Sequence, residues 1–416
     1  MQDPHPRAGT LAEPVARSDR LIELDALRGF ALLGVLLGCL YEYVDWGISA
    51  TEAQLAALPT WRIDAWATTL AQLFVADKAN TLFAFLFGLG FSMQLTRLRQ
   101  RGAAFESIYL RRLLILLIFG LAQFLIWFPW EVLHLYAILG LVLFALRNTR
   151  DRVLLGIGLP LLFFGNQIGN QLIEWIGLAD FEPSTDFYAE SAIHYRQALN
   201  EIRDSWGLIQ HFADWNWQGW FANGGIVAFG TYILGRFLIG AWVGRQGWLE
   251  RVDDFLGVFR LLLFVALPLG LLLEGSALWL EARTSAPEAL KTTLHHLAVP
   301  LTASGYVSLI VLGLRTGGVR ILLRWLAPVG QMALSNYVIA GLFVSKWFYG
   351  GWFGFRLAGE VGMSQTLGAG LLMFGLQVAL SNVWMRHFRF GPLEWAWRAM
   401  TYGQRPALRR MTPAGA

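Results

Sequence analysis

Arginine recurs along this chain in five clusters separated by apolar stretches, and the clusters occupy only every second connection. The first holds Arg97, Arg99, Arg101, Arg111 and Arg112, and the second holds Arg147, Arg150 and Arg152. Arg245, Arg251 and Arg260 follow, then Arg315, Arg320 and Arg324. The last cluster is Arg386, Arg389, Arg398, Arg405, Arg409 and Arg410. The connections between them carry few cations, and Phe128–Glu131 carries none. Short loops rich in Arg and Lys stay on the cytoplasmic side of a membrane. The alternation therefore predicts an all-α polytopic transmembrane bundle with both termini cytoplasmic.

Composition agrees. Of 416 residues 56% are hydrophobic and 15% charged, against about 25% charged in a soluble domain. Lipid must be the solvent for much of the surface. The net charge of +4 fits loops that meet anionic headgroups, and nucleic acid is not needed to explain it. Cys39 is the single cysteine, which rules out an intrachain disulfide and a cysteine-rich metal site. No Gly-x-x-x-x-Gly-Lys loop, Gly-x-Ser-x-Gly elbow or metal-spaced histidine cluster occurs. ATP-driven transport, serine hydrolysis and a metal centre all lose support, and no bound cofactor is expected.

A bilayer core of about 30 Å needs roughly 20 apolar residues per helix. Ten candidate spans follow: Leu21–Tyr43, Lys78–Leu98, Tyr109–Phe128, Glu131–Leu146, Val153–Ile176, Gly219–Val243, Phe255–Leu280, Leu294–Leu314, Ile321–Phe348 and Ser364–His387. Trp61–Ala76 reads as a re-entrant or interfacial helix. Residues 1–20 read as a cytoplasmic tail rather than a removable signal peptide. Residues 21–388 form the bundle, and 389–416 form an interfacial cytoplasmic segment in which Trp395 and Trp397 serve as anchors. The connection 179–218 lies outside. In it Tyr188, Ala192, Tyr195, Leu199, Ile202, Trp206 and Ile209 recur at steps of four and three, one stripe of an amphipathic helix. That helix either rests on the membrane surface or covers an outward-facing cavity. The expected location is a bacterial inner membrane.

Charges inside a span are costly and usually kept for function. Asp25 and Arg28 are three residues apart at the cytoplasmic start of span 1, so they share a helical face. They form either a self-neutralising pair or an anion site in which Arg28 meets a phosphate and Asp25 fixes its fork. Asp77, Lys78, Asn80 and Thr81 open span 2 from the outside. Glu131 and His134 open span 4, one turn apart. A carboxylate beside an imidazole sets its tautomer and raises its basicity, as a general base requires; the same Glu131 also suits a helix start. His295 and His296 open span 8 and read most simply as interfacial. In span 9, Gln331, Ser335 and Asn336 serve either packing or ligand contact. In span 5, Asn166, Gln167, Asn170, Gln171 and Glu174 form a polar stripe that cannot face lipid and marks a helix facing an internal cavity.

Four of these stretches together resemble the YeiB-like family of bacterial integral membrane proteins. They are Leu24-Asp25-Ala26-Leu27-Arg28-Gly29-Phe30-Ala31; Lys78 with Thr81-Leu82-Phe83-Ala84-Phe85-Leu86-Phe87-Gly88; Gly330-Gln331-Met332-Ala333-Leu334-Ser335-Asn336-Tyr337; and Gly391-Pro392-Leu393-Glu394-Trp395-Ala396-Trp397-Arg398. The family is distantly similar to transmembrane acyltransferases of the heparan-α-glucosaminide N-acetyltransferase type. The resemblance implies an acyl group taken from cytoplasmic acyl-CoA and delivered to a cell-envelope acceptor. Arg28, helped by Arg111 and Arg112, would hold the donor, and Lys78 would stabilise developing negative charge. Family members commonly carry His where Gln123 stands, Asp where Glu131 stands and Arg where Gln331 stands. Gln cannot act as a base, so this chain either lacks the activity or assigns the base to His134. A permease or exporter of a small organic anion or lipid, and a scaffold without chemistry, are the other readings. Gln123, Asn166, Asn170, Gln331, Ser335 and Asn336 are the candidate cavity-lining residues.

Overall fold

The structure is a computed structural model that describes residues 21–45, 47–100, 105–128, 131–177, 193, 196, 201–202, 204–222, 224–283, 286–349 and 354–410. Among them helices follow one another with no strand: α1 (Ile22–Asp45), α2 (Trp61–Phe74), α3 (Lys78–Gln100), α4 (Phe105–Ile126), α5 (Leu133–Ala145), α6 (Asp151–Trp175), α7 (Ser205–Asn216), α8 (Gly225–Gln246), α9 (Leu267–Glu281), α10 (Glu288–Gly313), α11 (Gly317–Arg324), α12 (Ala327–Gln331), α13 (Ala333–Phe348), α14 (Met363–His387) and α15 (Pro392–Tyr402). Turns of helix from Val252 lead into α9, with a π-helical segment at Leu262–Ala266 just before Pro268.

Eight helical stretches among the described residues are long and apolar enough to cross a membrane, or nine if the pair Gly317–Gln331 and Ala333–Phe348 counts as one. The expected ten is reached only with the short Leu133–Asn148. Its helix starts late because Glu131 stands outside it, and the 13 residues of α5 rise only about 20 Å. The expected ninth span is a single segment in length but is bent by 85° at Met332. Most of the outer amphipathic helix and the whole N-terminal tail lie outside the described residues.

The alternation of arginine becomes an alternation of helix ends. Arg99, closing α3, donates to Asn148 Oδ1 beyond α5 (2.6 Å). Arg147 pairs with Glu106 at the start of α4 (3.8 Å). Arg245, closing α8, reaches Asp151 at the start of α6 (3.0 Å) and the Thr149 carbonyl (2.6 Å). Arg315, after α10, forks onto Asp253 before α9 (2.6 and 3.2 Å). These contacts gather the arginine-bearing ends on one face. The bundle's flank is apolar, with Ile118, Phe264, Leu272 and Leu372 exposed, as lipid requires.

Between helices, lipid and protein are equally apolar, so close packing and hydrogen bonds drive association. The central helix α8 packs along α6 and α3, and α1 packs against α12. At the second contact a Cβ on Gly330 would fall on the Asp25 carbonyl, and one on Gly29 on the Leu326 carbonyl. Only glycine lets these two backbones meet.

The bend at Met332 leaves the start of α13 inside the protein, where its free N–H groups need acceptors. Glu394 of α15 supplies them. Its carboxylate accepts from Leu334 N (2.6 Å), Ser335 N (3.1 Å) and the Ser335 hydroxyl (2.6 Å). The C-terminal block, expected to act as an anchor, is thus a structural part of the bundle. At the opposite end α2 exposes Trp61, Ile63, Trp66 and Leu70. Its Asp64 accepts from Ser364 N at the start of α14 (2.8 Å).

Gly330→Ala should destabilise the protein by about 1–3 kcal/mol through overpacking, whereas Gly375→Ala, where a Cβ meets nothing within 4 Å, should not. Thermal unfolding in detergent checks both, and equal melting of the two variants would contradict the assigned contact. Glu394→Ala should cost about 1.5–3 kcal/mol, the range for hydrogen bonds to a charged group. Glu394→Gln, which keeps one acceptor oxygen, should recover part of that loss in the same assay.

Candidate functional site

A cavity of about 330 Å³ lies at the arginine-rich face, and every stretch that carries the sequence resemblance contributes to it. The first gives Asp25 and Arg28, the second Phe83, Leu86 and Phe87. The third gives Gly330, Gln331, Leu334 and Tyr337, and the fourth Glu394, Trp397 and Arg398. Segments as distant as residues 25 and 398 line one volume.

Its chemistry is divided. Arg28, Arg97, Arg112 and Arg398 line it, each half-buried. The Arg28 side chain is 33% exposed and lies 3.9 Å from Asp25, close beside Gly90, where a Cβ would stand 3.1 Å from its Nη2. Arg112 lies over the Trp397 ring (4.5 Å), whose Nε1 donates to the Arg112 carbonyl (3.2 Å). Burial pushes the Glu394 carboxyl above the usual carboxylate range, and the Ser335 hydroxyl and backbone N–H groups pull it back. The apolar wall is aromatic: Phe83 stacks with Tyr337 (5.9 Å) and Phe87 meets Tyr136 edge-on (5.4 Å).

The expected site residues divide by location. Asp25, Arg28, Arg112 and Gln331 line the cavity. Arg111 does not; it is exposed and donates to the Thr401 carbonyl (3.0 Å). Ser335 is taken up by Glu394, and Asn336 bonds to the Val329 carbonyl (3.2 Å) and Ser381 (3.0 Å), so both are engaged in contacts between helices. Asn166 and Asn170 do not line the cavity either. Gly165 and Gly169 take the contact with α8, at Tyr232 and Ala228, and the polar stripe is turned to the side. Its Gln167 amide meets His296 Nδ1.

Glu131 and His134 are brought together, both fully buried, with Nδ1 3.0 Å from Oε2. The same carboxylate accepts from the backbone N–H of Leu133 and of His134 (3.2 Å). One residue therefore caps α5 and orients the imidazole. His134 Nε2 has no hydrogen-bond partner among the described residues, and neither amide atom of Gln123 has one. Buried polar atoms of this kind call for water or a ligand. His134 does not line the cavity, although Leu133 and Tyr136 on the same helix do; it faces Phe124 and Trp220 instead.

Lys78 is not joined to His134. It belongs to a separate cluster away from the arginine-rich face, 3.2 Å from Glu274 and donating to the Gln72 carbonyl (2.6 Å). Glu274 also meets His295 Nδ1 (2.9 Å), and His295 Nε2 meets Asp77 (3.0 Å). Beside them Arg236, 2% exposed, donates to Thr81 (2.8 Å) and the Tyr232 carbonyl (2.6 Å). Glu274 and Arg236 are absent from the expected set, yet each is a lone charge in an apolar run, which is the signal that would have found them. Among the described residues no group of three or more His, Cys, Asp or Glu side chains could hold a metal ion. Chemically, the cavity suits an amphiphilic anion, with guanidinium groups for a phosphate and aromatic rings for a chain.

Comparison with known proteins finds relatives over nearly the whole chain. The family model described as "Protein of unknown function (DUF418)" matches residues 243–404, from the end of α8 through α15. "Uncharacterized protein YxaH" of Bacillus subtilis (strain 168) is 28% identical over 94% of this chain and 96% of its own length. "Uncharacterized protein YeiB" of Escherichia coli (strain K12) is 29% identical over 92% and 96%. A third relative, "Uncharacterized 39.9 kDa protein in amylase 3'region" of Bacillus acidopullulyticus, is 26% identical over 94% and 97%. No solved structure matches. Near-complete coverage of these relatives, together with the DUF418 match, supports a YeiB-like family for this chain.

Proposed function

We propose that this protein is an acyltransferase of the bacterial cytoplasmic membrane. It takes an acyl group from a coenzyme A thioester at its arginine-rich, cytoplasmic face and delivers it to an acceptor hydroxyl or amine of the cell envelope. One observation carries the reading: four stretches far apart in sequence line a single cavity whose chemistry matches an amphiphilic phosphate ester. Arg28, Arg97, Arg112 and Arg398 hold the phosphates, where the planar guanidinium gives paired hydrogen bonds. The aromatic wall receives the acyl chain.

Helix α5 divides the two half-sites. Leu133 and Tyr136 face the donor, while His134, oriented by Glu131, keeps its Nε2 for the acceptor. In the transfer the acceptor oxygen or nitrogen bonds to the thioester carbonyl carbon and gives its proton to Nε2. The carbon–sulfur bond then breaks, and the proton on Nε2 passes through water to the coenzyme A thiolate, which leaves as the thiol and restores the neutral imidazole. Lys78, held by Glu274, has no part in this step.

A second reading, a permease for an amphiphilic organic anion, is favoured by the buried Lys78, Glu274 and Arg236, which acyl transfer does not use. Radiolabelled acyl-CoA separates the two. Label on an envelope acceptor that disappears in His134→Ala supports the enzyme, and flux without labelling supports the permease.

Purified protein should bind acyl-CoA, and Arg28→Ala or Arg112→Ala should weaken it about 10- to 100-fold, equivalent to about 1.5–3 kcal/mol. Arg111→Ala should leave binding unchanged. Titration calorimetry reads all three, and indifference to Arg28 and Arg112 would remove the donor site. Topology is open to an independent check: a reporter fused after Arg99 should be cytoplasmic and one after Gly177 external. Both in one compartment would end the proposed orientation.

A further inference from the structure

The row of ionic groups away from the cavity is graded in exposure. The side chain of Asp77 is 39% exposed and that of His295 25%, whereas Glu274 and Lys78 are at 1%. Hydrogen bonds and ion pairs join the four in that order, at 3.0, 2.9 and 3.2 Å. From these contacts we infer that the row is a proton-exchange site, in which His295 holds a proton that leaves to, and returns from, the water on that face by way of Asp77.

Three features carry the inference. An imidazole can donate from both nitrogens only as the cation, and here each nitrogen faces a carboxylate oxygen. Ionic groups inside spans are kept chiefly for function, and proton relays are a recurrent use. Asp77 is held at φ 59°, in the left-handed region that is uncommon for a non-glycine residue, and in that conformation its carboxylate meets the His295 ring.

The groups around the row come from several packed elements, Tyr306 of α10 among them, within electrostatic reach of Glu274. Tyr232 and Arg236 of α8 approach Asp77, with the Tyr232 hydroxyl 3.5 Å away. Tyr41, Glu42 and Asp45 at the end of α1 lie within electrostatic reach of the same carboxylate or of one another. His296 stands next on α10, with Gln167 of α6 against it. With His295 charged, the row itself holds two cations and two anions. In the exchange the Nε2 proton passes over Asp77 to a water molecule, which becomes hydronium. The neutral ring keeps its Nδ1–H on Glu274, and no other bond changes. This does not depend on the acyl-transfer reading, since any chemistry or transport at this face can use the exchanged proton.

The test uses the full chain, labelled with ¹⁵N-histidine and reconstituted in one orientation in phosphatidylcholine–phosphatidylglycerol vesicles. The single His-His pair, His295-His296, assigns the imidazole signal without a mutation. The pH is stepped from neutral to alkaline on one side while the other is buffered. The His295 charge state is expected to follow the pH on the Asp77 side and to ignore the arginine-rich side. In Asp77→Asn, which keeps a residue tolerant of the left-handed backbone, that response should be lost. A His295 signal that follows the arginine-rich side, or stays constant whichever side is stepped, overturns the inference and leaves a static ion-pair network.

Discussion

Hydrocarbon solvates neither an ion nor an open backbone group, and the arrangement of this molecule follows from where it puts both. Its clustered arginines collect at one face, tied across helix ends by Asn148, Glu106, Asp151 and Asp253. Its other conspicuous charges collect in the Asp77–His295–Glu274–Lys78 row. Between them stands an aromatic layer in which Phe87 stacks on Phe237 (4.5 Å) and Tyr136 meets Phe237 edge-on (5.0 Å).

The cavity exists because one span is broken. A straight helix through Met332 would have satisfied its own backbone and filled the space beside α1. The 85° bend instead opens room at the arginine-rich face and exposes the first N–H groups of α13. Glu394 answers that need, and the helix that carries it closes the cavity with Trp397 and Arg398. Bend, cap and cavity are three consequences of one interruption. The close approach at Gly29 and Gly330 then sets the bent segment against the start of α1, where Asp25 and Arg28 lie.

What the sequence disclosed was what is local. Residues three apart on a helix share a face, so the pair Asp25–Arg28 was legible, as was the alternation of arginine; Glu131–His134 was legible as neighbours at a helix start, with Glu131 capping α5 from outside it. The partnerships that cross between helices were not. Asp77, Lys78 and His295 were visible as separate polar openings of spans, but Glu274 joins them from α9, and nothing in one sequence states that α3, α9 and α10 are neighbours. The polar stripe of α6 does not line the cavity for a related reason. Polarity shows that a helix avoids lipid, yet Gly165 and Gly169 decided which side meets α8. The tryptophans of the C-terminal block suggested an interface, and the carboxylate just before them, Glu394, ties that block to the start of α13.

The position of Gln331 bears on how the cavity treats a charged ligand. Its neutral side chain lines the same volume as Arg28, Arg97, Arg112 and Arg398. Two carboxylates, Asp25 and Glu394, also line it, and Glu394 is engaged by the backbone and hydroxyl of α13. The guanidinium groups still outnumber the carboxylates by two, so the field at the cavity favours an anion without a fifth arginine. Cation number and cation placement are therefore separable: Arg28 and Arg112 are set by Asp25 and Trp397, contacts that a glutamine at residue 331 leaves intact.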